Sequence, residues 1–250
     1  MKIGAITTEI FSGGTPNTQK SEYWGGGLPW LSSGETRNRV ITTTEKTITA
    51  LGVSESSTRK AQKHDIVIAS AGQGTTRGRV SYCMLDTYIN QSVIAVRADR
   101  AQVEPIWLFY NLYNRYDELR RLSDANASRG SITTKLIRDL DVKLPSLDEQ
   151  RAVSPLLEVI EQRVIANAAM NETLEAIAQS VFASFFTDAK IVRAKSRATA
   201  QHSDPELAAI REVAGENAIL LPAQILLRVR QLVHDFPAVL ETDGNPRGWS

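Results

Sequence analysis

The chain has 250 residues, 42% hydrophobic and 23% charged, with 29 Lys+Arg against 28 Asp+Glu for a net charge of +1. These fractions belong to a globular protein with a real core rather than a disordered chain, and the single cysteine, Cys83, excludes an intrachain disulfide and suits a reducing compartment. The opening MKIGAITTEIF has no signal-peptide apolar run, and Pro222 and Gln224 interrupt the best apolar stretch, near Ile219 to Leu227; a cytoplasmic protein with no membrane segment is expected.

The charge is uneven. Met1 to Ser146 holds 19 Lys+Arg and 14 Asp+Glu, and the remainder holds 10 and 14. The stretch from Glu35 to Val80 is richest, with Arg37, Arg39, Lys46, Arg59, Lys60, Lys63, Arg77 and Arg79 against Glu35, Glu45, Glu55 and Asp65. Such a bias suits a phosphate-facing surface, and it equally describes a solvated face.

In chain order, Met1 to Ile10 reads as a short helix or strand leading into the turn Ser12-Gly13-Gly14-Thr15-Pro16, where the glycines permit positive φ. This loop lacks the Lys-Ser/Thr and helix of a phosphate-binding loop, so a structural turn is the simpler reading. Leu28-Pro29-Trp30-Leu31 reads as a buried strand ended by Ser32-Ser33-Gly34, while Thr36 to Lys63 gives no clear pattern. Asp65 to Ser70, Val80 to Leu85 and Ser92 to Val96 are three predicted strands. Between the first two, a hairpin loop would project Gln73, Thr75, Thr76, Arg77 and Arg79, donor types that read base edges and phosphates. The alternative is a turn whose arginines are merely solvated.

Glu104 to Leu122 has the spacing of one amphipathic helix with Ile106, Phe109, Tyr110, Tyr113 and Leu119 on a core face. Thr133 to Leu140 reads as a short helix, Asp141 to Leu144 as an edge strand, and Pro145 as the end of a domain. From Leu147 to Phe186 an apolar heptad seam follows: Val153, Leu157, Ile160, Val164, Asn167, Asn171, Leu174, Ala178, Val181 and Phe185. Roughly forty helical residues make a rod about 60 Å long, too long to bury within one domain, so a partner helix is expected, with Asn167 and Asn171 fixing register; the alternative is a long surface helix packed on its own domain with both asparagines turned to water. Pro155 fits a first helical turn, with Ser154 as cap. Beyond it, Lys190 to Arg197 reads as a basic connector, Asp204 to Ala214 as a short helix started by Pro205, Ala218 to Val233 as an apolar segment kinked at Pro222, and Gly244 to Trp249 as a turn-rich end. The fold class is α+β: a mixed α/β domain over 1–146, a long coiled-coil helix over 147–189 and a short helical tail over 190–250.

Catalytic patterns are not found. His64, His202 and His234 show no metal-ligand spacing with one another or with Cys83, and no Walker loop or GxGxxG follows a strand. The acidic residues are scattered rather than gathered as a magnesium site requires. Binding is the expected role.

Several short motifs carry a resemblance. The order Ser12-Gly13-Gly14-Thr15-Pro16, Tyr23-Trp24, Leu28-Pro29-Trp30-Leu31-Ser32-Ser33-Gly34-Glu35 and Asn90-Gln91, then Ile132 to Leu136, the junction Leu144-Pro145-Ser146-Leu147-Asp148-Glu149-Gln150 and the helix from Asn167 to Gln179, resembles the specificity subunits of type I restriction-modification systems over residues 3 to 186. The resemblance implies a non-catalytic subunit without cofactor: an α/β target-recognition domain that reads one half of a bipartite double-stranded DNA site, and a long spacer helix that docks methyltransferase subunits. Those partners supply S-adenosylmethionine and methyl transfer, and a restriction subunit joins where one exists. The family carries two recognition domains and two spacers and this chain one of each, so a half-length subunit, natural or truncated, is expected to pair as an antiparallel homodimer. Asn245 to Trp249 is similar to the Pro-x-Gly-Trp that opens the next recognition domain. The residues expected at DNA are Arg37, Arg39, Lys60, Lys63, Gln73, Thr75, Thr76, Arg77, Arg79, Arg129 and Lys135. The second reading, from the near-neutral charge and acidic second half, is a protein-interaction module that binds methyltransferase subunits without reading DNA.

Overall fold

In the computed structural model, residues 1–72, 74–126, 130–183, 186, 188–215, 222–240 and 246–247 are described. They fall into two units, Met1–Ile165 and Ala166–Ser250.

The first unit runs β1 (Thr7–Ser12), β2 (Trp24–Leu31), β3 (Val40–Ile41), β4 (Lys46–Ile48), α1 (Ala50–Ser54), β5 (Arg59–Ala61), β6 (Ile66–Ala69), β7 (Val80–Cys83), β8 (Thr87–Ile89), β9 (Val93–Ala98), α2 (Pro105–Tyr113), α3 (Tyr116–Asn126), α4 (Thr134–Asp139) and the first turns of α5 (Leu147–Phe182). One sheet has the order β1-β9-β6-β7-β3 and the other β4-β2-β8-β5. The apolar run at β6 reads as continuous because both its faces are covered. Alternation divides it: Ile66 and Ile68, with Val80, Tyr82, Ile94 and Val96, pack against Ile106, Phe109 and Leu112 of α2, while Val67, Cys83, Val93 and Ala95 turn to Leu31, Ala61 and Ile89 of the second sheet.

The glycines of the Ser12–Pro16 turn serve proximity, not positive φ. Gly13 and Gly14 donate from their amides to Asn90 O (3.3 Å) and Ile89 O (3.0 Å). A Cβ on Gly13 would stand 1.9 Å from Ile89 O, and one on Gly14 2.1 Å from Ser57 Oγ. Positive φ occurs instead at Gly25 (79°) and Gly27 (81°), within an irregularity of β2 where Trp24 and Leu28 both oppose Ile48.

Three expectations along this unit are revised. The helix over Glu104–Leu122 is two, α2 and α3, because the Arg115 amide closes a tighter turn on Leu112 O and its guanidinium holds both Glu118 (2.6 and 2.7 Å) and Asp141 O (2.8 Å). The edge strand over Asp141–Leu144 is an isolated bridge from Asp141 to Lys2. The cap of α5 is Ser146, not Ser154: the Ser146 amide and hydroxyl donate to Glu149 Oε2 at 2.8 and 2.7 Å, a reciprocal box with the Glu149 amide. Ser154 is buried inside the helix and donates to Gln150 O at 2.8 Å. Pro155 therefore sits in the helix interior on an exposed position, where water can take the Arg151 carbonyl bond that proline cannot make.

The second unit holds the rest of α5 and the helices α6 (Lys190–Ala200), α7 (Pro205–Ala214) and α8 (Ala223–His234). The basic connector is the amphipathic helix α6, whose Ile191 and Val192 join Ala209, Ile210, Val233 and Phe236 in a core. Lys195 is buried there, and its ammonium donates to Phe236 O at 2.7 Å. Asp204 caps α7 through the amides of Glu206 (2.9 Å) and Leu207 (3.2 Å), with Pro205 in the first turn. Residues 218–221 of the expected apolar segment, and all but Pro246 and Arg247 of the Gly244–Trp249 end, lie outside the described residues.

Gly13→Ala is expected to lower stability by about 1–3 kcal/mol, since the added methyl must displace backbone rather than a side-chain tip. A urea-unfolding midpoint equal to the parent's would contradict this packing.

Candidate nucleic-acid interface

A cleft of about 300 Å³ opens where three segments meet: the 3-10 turn Ser33–Arg37, the loop between β6 and β7, and the α2–α3 junction. Arg37, Arg39 and Arg79 line it beside Thr36, Thr75, Tyr113 and Tyr116. Each wall is built from within. Glu35, 4% exposed, receives the Ser32 amide and hydroxyl on Oε2 (2.8 and 3.0 Å) and the Glu45 amide on Oε1 (2.8 Å). The buried Ser81 hydroxyl donates its one hydrogen to Asn38 O (2.6 Å), with Thr36 O a second, longer acceptor at 3.2 Å. These bonds set the backbone that presents Arg37, which is exposed and paired with Glu45 at 2.9 Å.

The hairpin loop is held by donors from two sides. Tyr116 Oη donates to Thr75 O (3.0 Å) and Arg120 Nη1 to Gly74 O (3.0 Å), while Arg79 donates to Thr75 O (3.0 Å) and Thr75 Oγ1 (3.1 Å). Thr76 O accepts the Arg79 amide at 3.1 Å. Arg77 turns inward, its guanidinium donating to Gly130 O and pairing with Asp124, and only 12% of its side chain is exposed. It braces the loop. Arg39 is also engaged: Nη2 donates to the Tyr110 hydroxyl at 2.7 Å and pairs with Glu161 of α5, and the guanidinium lies 5.0 Å from the Tyr113 ring centroid and 5.1 Å from that of Tyr110.

Of the residues expected at DNA, the structure thus brings Arg37, Arg39, Thr75 and Arg79 to one cleft. Lys60 lies elsewhere, paired with Asp86 at 2.9 Å; the Lys63 amide and the Lys60 ammonium hold the Asp86 carboxyl below its ordinary range. Lys63 lines a smaller cavity of about 190 Å³ with His64, Tyr82, Glu158 and Glu161. Lys135 is exposed on α4, pairs with Asp139 and borders a third hollow with Leu122 and Leu140. Gln73 and Arg129 lie outside the described residues. The sequence reading missed Thr36, Tyr116 and Arg120, and it placed Tyr113 on a core face, whereas Tyr113 is 37% exposed at the cleft. The break between α2 and α3 turns these tyrosines outward, and an uninterrupted helical period could not show it.

The seam of α5 is open among the described residues. Val153, Ile160, Val164, Asn167, Asn171, Leu174, Ala178 and Val181 are exposed, and Leu157 packs instead against the core of the first unit. Phe185 lies outside the described residues.

A family model described as "Type I restriction modification DNA specificity domain" matches residues 2–176. The MjaIX specificity subunit of Methanocaldococcus jannaschii is 25% identical over 184 residues, 72% of this chain and 42% of that protein. The HindI specificity subunit of Haemophilus influenzae is 26% identical over 209 residues, 75% of this chain and 46% of that one. This chain therefore spans less than half the length of these relatives. Among solved structures, the Type-I restriction-modification S subunit from M. genitalium matches with a TM-score of 0.54 at 15% identity over 72% of this chain and 43% of that one. A chain from a study of complex assembly in the type I R-M system matches with a TM-score of 0.52 at 23% identity over 72% and 42%. Both share the fold.

The smaller cavity gives the first unit a pH dependence. Burial lowers the His64 imidazole below its ordinary 6.5, helped by Arg100 and Lys63. Below 6.5 the unfolded chain takes up a proton that the native state resists, so the contribution is complete above that value and is lost as pH falls through the window down to the native pKa. His64 has φ of 76°, which asparagine tolerates, so His64→Asn is expected to flatten the fall of the unfolding midpoint over this window. Parallel pH profiles for the two proteins would place the titration elsewhere.

Proposed function

Because the chain belongs to the type I restriction modification DNA specificity domain family, we propose that it reads one half of a bipartite duplex DNA target through the Arg37–Arg39–Arg79 cleft and docks methyltransferase subunits along α5, as an antiparallel homodimer. Residues 1–146 are then the target-recognition domain, 147–189 the spacer and 190–250 a helical tail. The observation that carries this reading is the cleft: three guanidinium groups meet two tyrosines on a wall fixed by buried hydrogen bonds. Guanidinium forks suit phosphate oxygens and guanine edges, and hydroxyls beside them suit the phosphate backbone.

The open seam supports the pairing. Val164, Leu174 and Val181 lie 45 to 54% exposed along the seam, apolar surface that water disfavours and a second helix would cover. With 36 residues, a helix of about 54 Å and a rise of about 3.4 Å per base pair set half-sites within roughly sixteen base pairs. Two-fold symmetry would make them inverted repeats. A second reading, a module that binds methyltransferase subunits without reading DNA, is favoured by the internal pairing of Arg39 and Arg77.

Duplex binding separates the two. Arg37→Ala and Arg79→Ala are each expected to weaken binding and to make the plot of log affinity against log salt shallower by about 0.9 per lost phosphate contact, whereas Arg79→Lys keeps the charge and relaxes sequence preference. Salt slopes unchanged in both alanine variants, with methyltransferase still co-purifying, would leave the interaction module. For the seam, sedimentation of the parent should show a dimer and Leu174→Glu a folded monomer. A monomeric parent at working concentration would end the homodimer.

A further inference from the structure

Arg39 belongs to two places at once. Its side chain lines the cleft with Arg37, Arg79 and Tyr113, and the same guanidinium pairs with Glu161 of α5, whose carboxylate also accepts the Tyr110 hydroxyl at 2.6 Å. The Glu161 side chain is 4% exposed and that of Arg39 is 33% exposed, so a buried anion holds a cation that reaches the cleft wall. The pairing is incomplete at both ends: Arg39 Nε and Glu161 Oε2 are buried without a hydrogen-bond partner. Buried groups left in that state weaken the arrangement that leaves them so. On its other side, Glu161 borders the smaller cavity together with Lys63 and His64. A second cation thus shares the surroundings of the same carboxylate.

We propose that Glu161 is a positioning residue for the cleft, coupling its occupancy to the seat of α5. With the cleft empty, Glu161 partly neutralises Arg39 and holds it back. A phosphate in the cleft competes for the guanidinium, since a cation shared between two anions serves each less strongly than one it serves alone. Arg39 then moves toward the ligand, Glu161 turns to the cavity and Lys63, and the turns of α5 around Glu161 lose a fastening. Occupancy of the cleft is in this way reported to the helix. The inference rests on the reading that the cleft takes phosphate groups.

The test compares the full chain with its Glu161→Gln variant, which keeps the shape of the side chain and removes its charge. Binding of a mixed-sequence duplex and of inorganic triphosphate is measured across a salt series, together with amide exchange over residues 147–165. The variant is expected to bind both ligands more tightly and to steepen the duplex salt slope by about one phosphate contact, roughly 0.9. That gain is expected to vanish when Arg39→Ala is added. In the parent, either ligand should speed exchange around Glu161. Equal binding by parent and variant, a gain that survives loss of Arg39, or exchange that triphosphate leaves unchanged overturns the coupling, and the last holds even if the variant does not fold. If triphosphate gives the expected pattern while duplex does not bind, the coupling stands and the DNA reading falls. If neither ligand binds either protein, both fall.

Discussion

The seat of α5 on the first unit is made of hydrogen bonds and charge rather than of an apolar stripe, and most of the molecule's features follow from that choice. Gln150, Ser154 and Glu161 are the buried residues of the helix. Gln150 accepts the Glu104 amide on its side chain (3.0 Å) and the Trp107 indole on its carbonyl (3.2 Å), and donates to Pro145 O (3.0 Å). One helical face is thereby fixed with Leu157 as its apolar contribution. Val153, Leu156, Val159 and Ile160 remain 39 to 62% exposed. Had the helix seated through those residues, its first turns would have had no apolar surface left to face a partner.

A polar seat is selective about geometry. A buried carboxylate stripped of its cation costs about 3–5 kcal/mol, so Glu161 tolerates only positions of α5 that keep a cation in reach. Hydrogen bonds to Gln150 add direction to that constraint, because each has a preferred angle as well as a distance. The cleft inherits this rigidity through Arg39. Its other walls rely on the same device at Glu35 and Ser81, polar side chains withdrawn from water to hold irregular backbone in place.

Much of the frame was legible in the chain. The runs at β6, β7 and β9 are long enough and apolar enough to declare themselves, and the six residues after Thr133 carry their own cap, its hydroxyl accepting the Leu136 amide at 3.1 Å. The stretch from Thr36 to Lys63 was not legible, because β3, β4 and β5 are two or three residues long and no period can be read over so short a span. Basic residues were found by type, yet type does not say where a side chain ends. Arg77 and Arg79 are two positions apart, and one braces the loop from inside while the other lines the cleft.

The chain's own pattern determined the α+β class, the hairpin, the long helix and the family resemblance, since each is written in local periodicity or in contiguous motifs. Folding decided what those patterns left open: the break that turns Tyr113 and Tyr116 to the cleft, the burial of Glu35 and Glu161, and the face of α5 that stays uncovered. The physical reason is separation along the chain. Arg39 meets Glu161 across 122 residues, and a pairing of that span is set by how the sheets and helices pack, which no local stretch of sequence encodes.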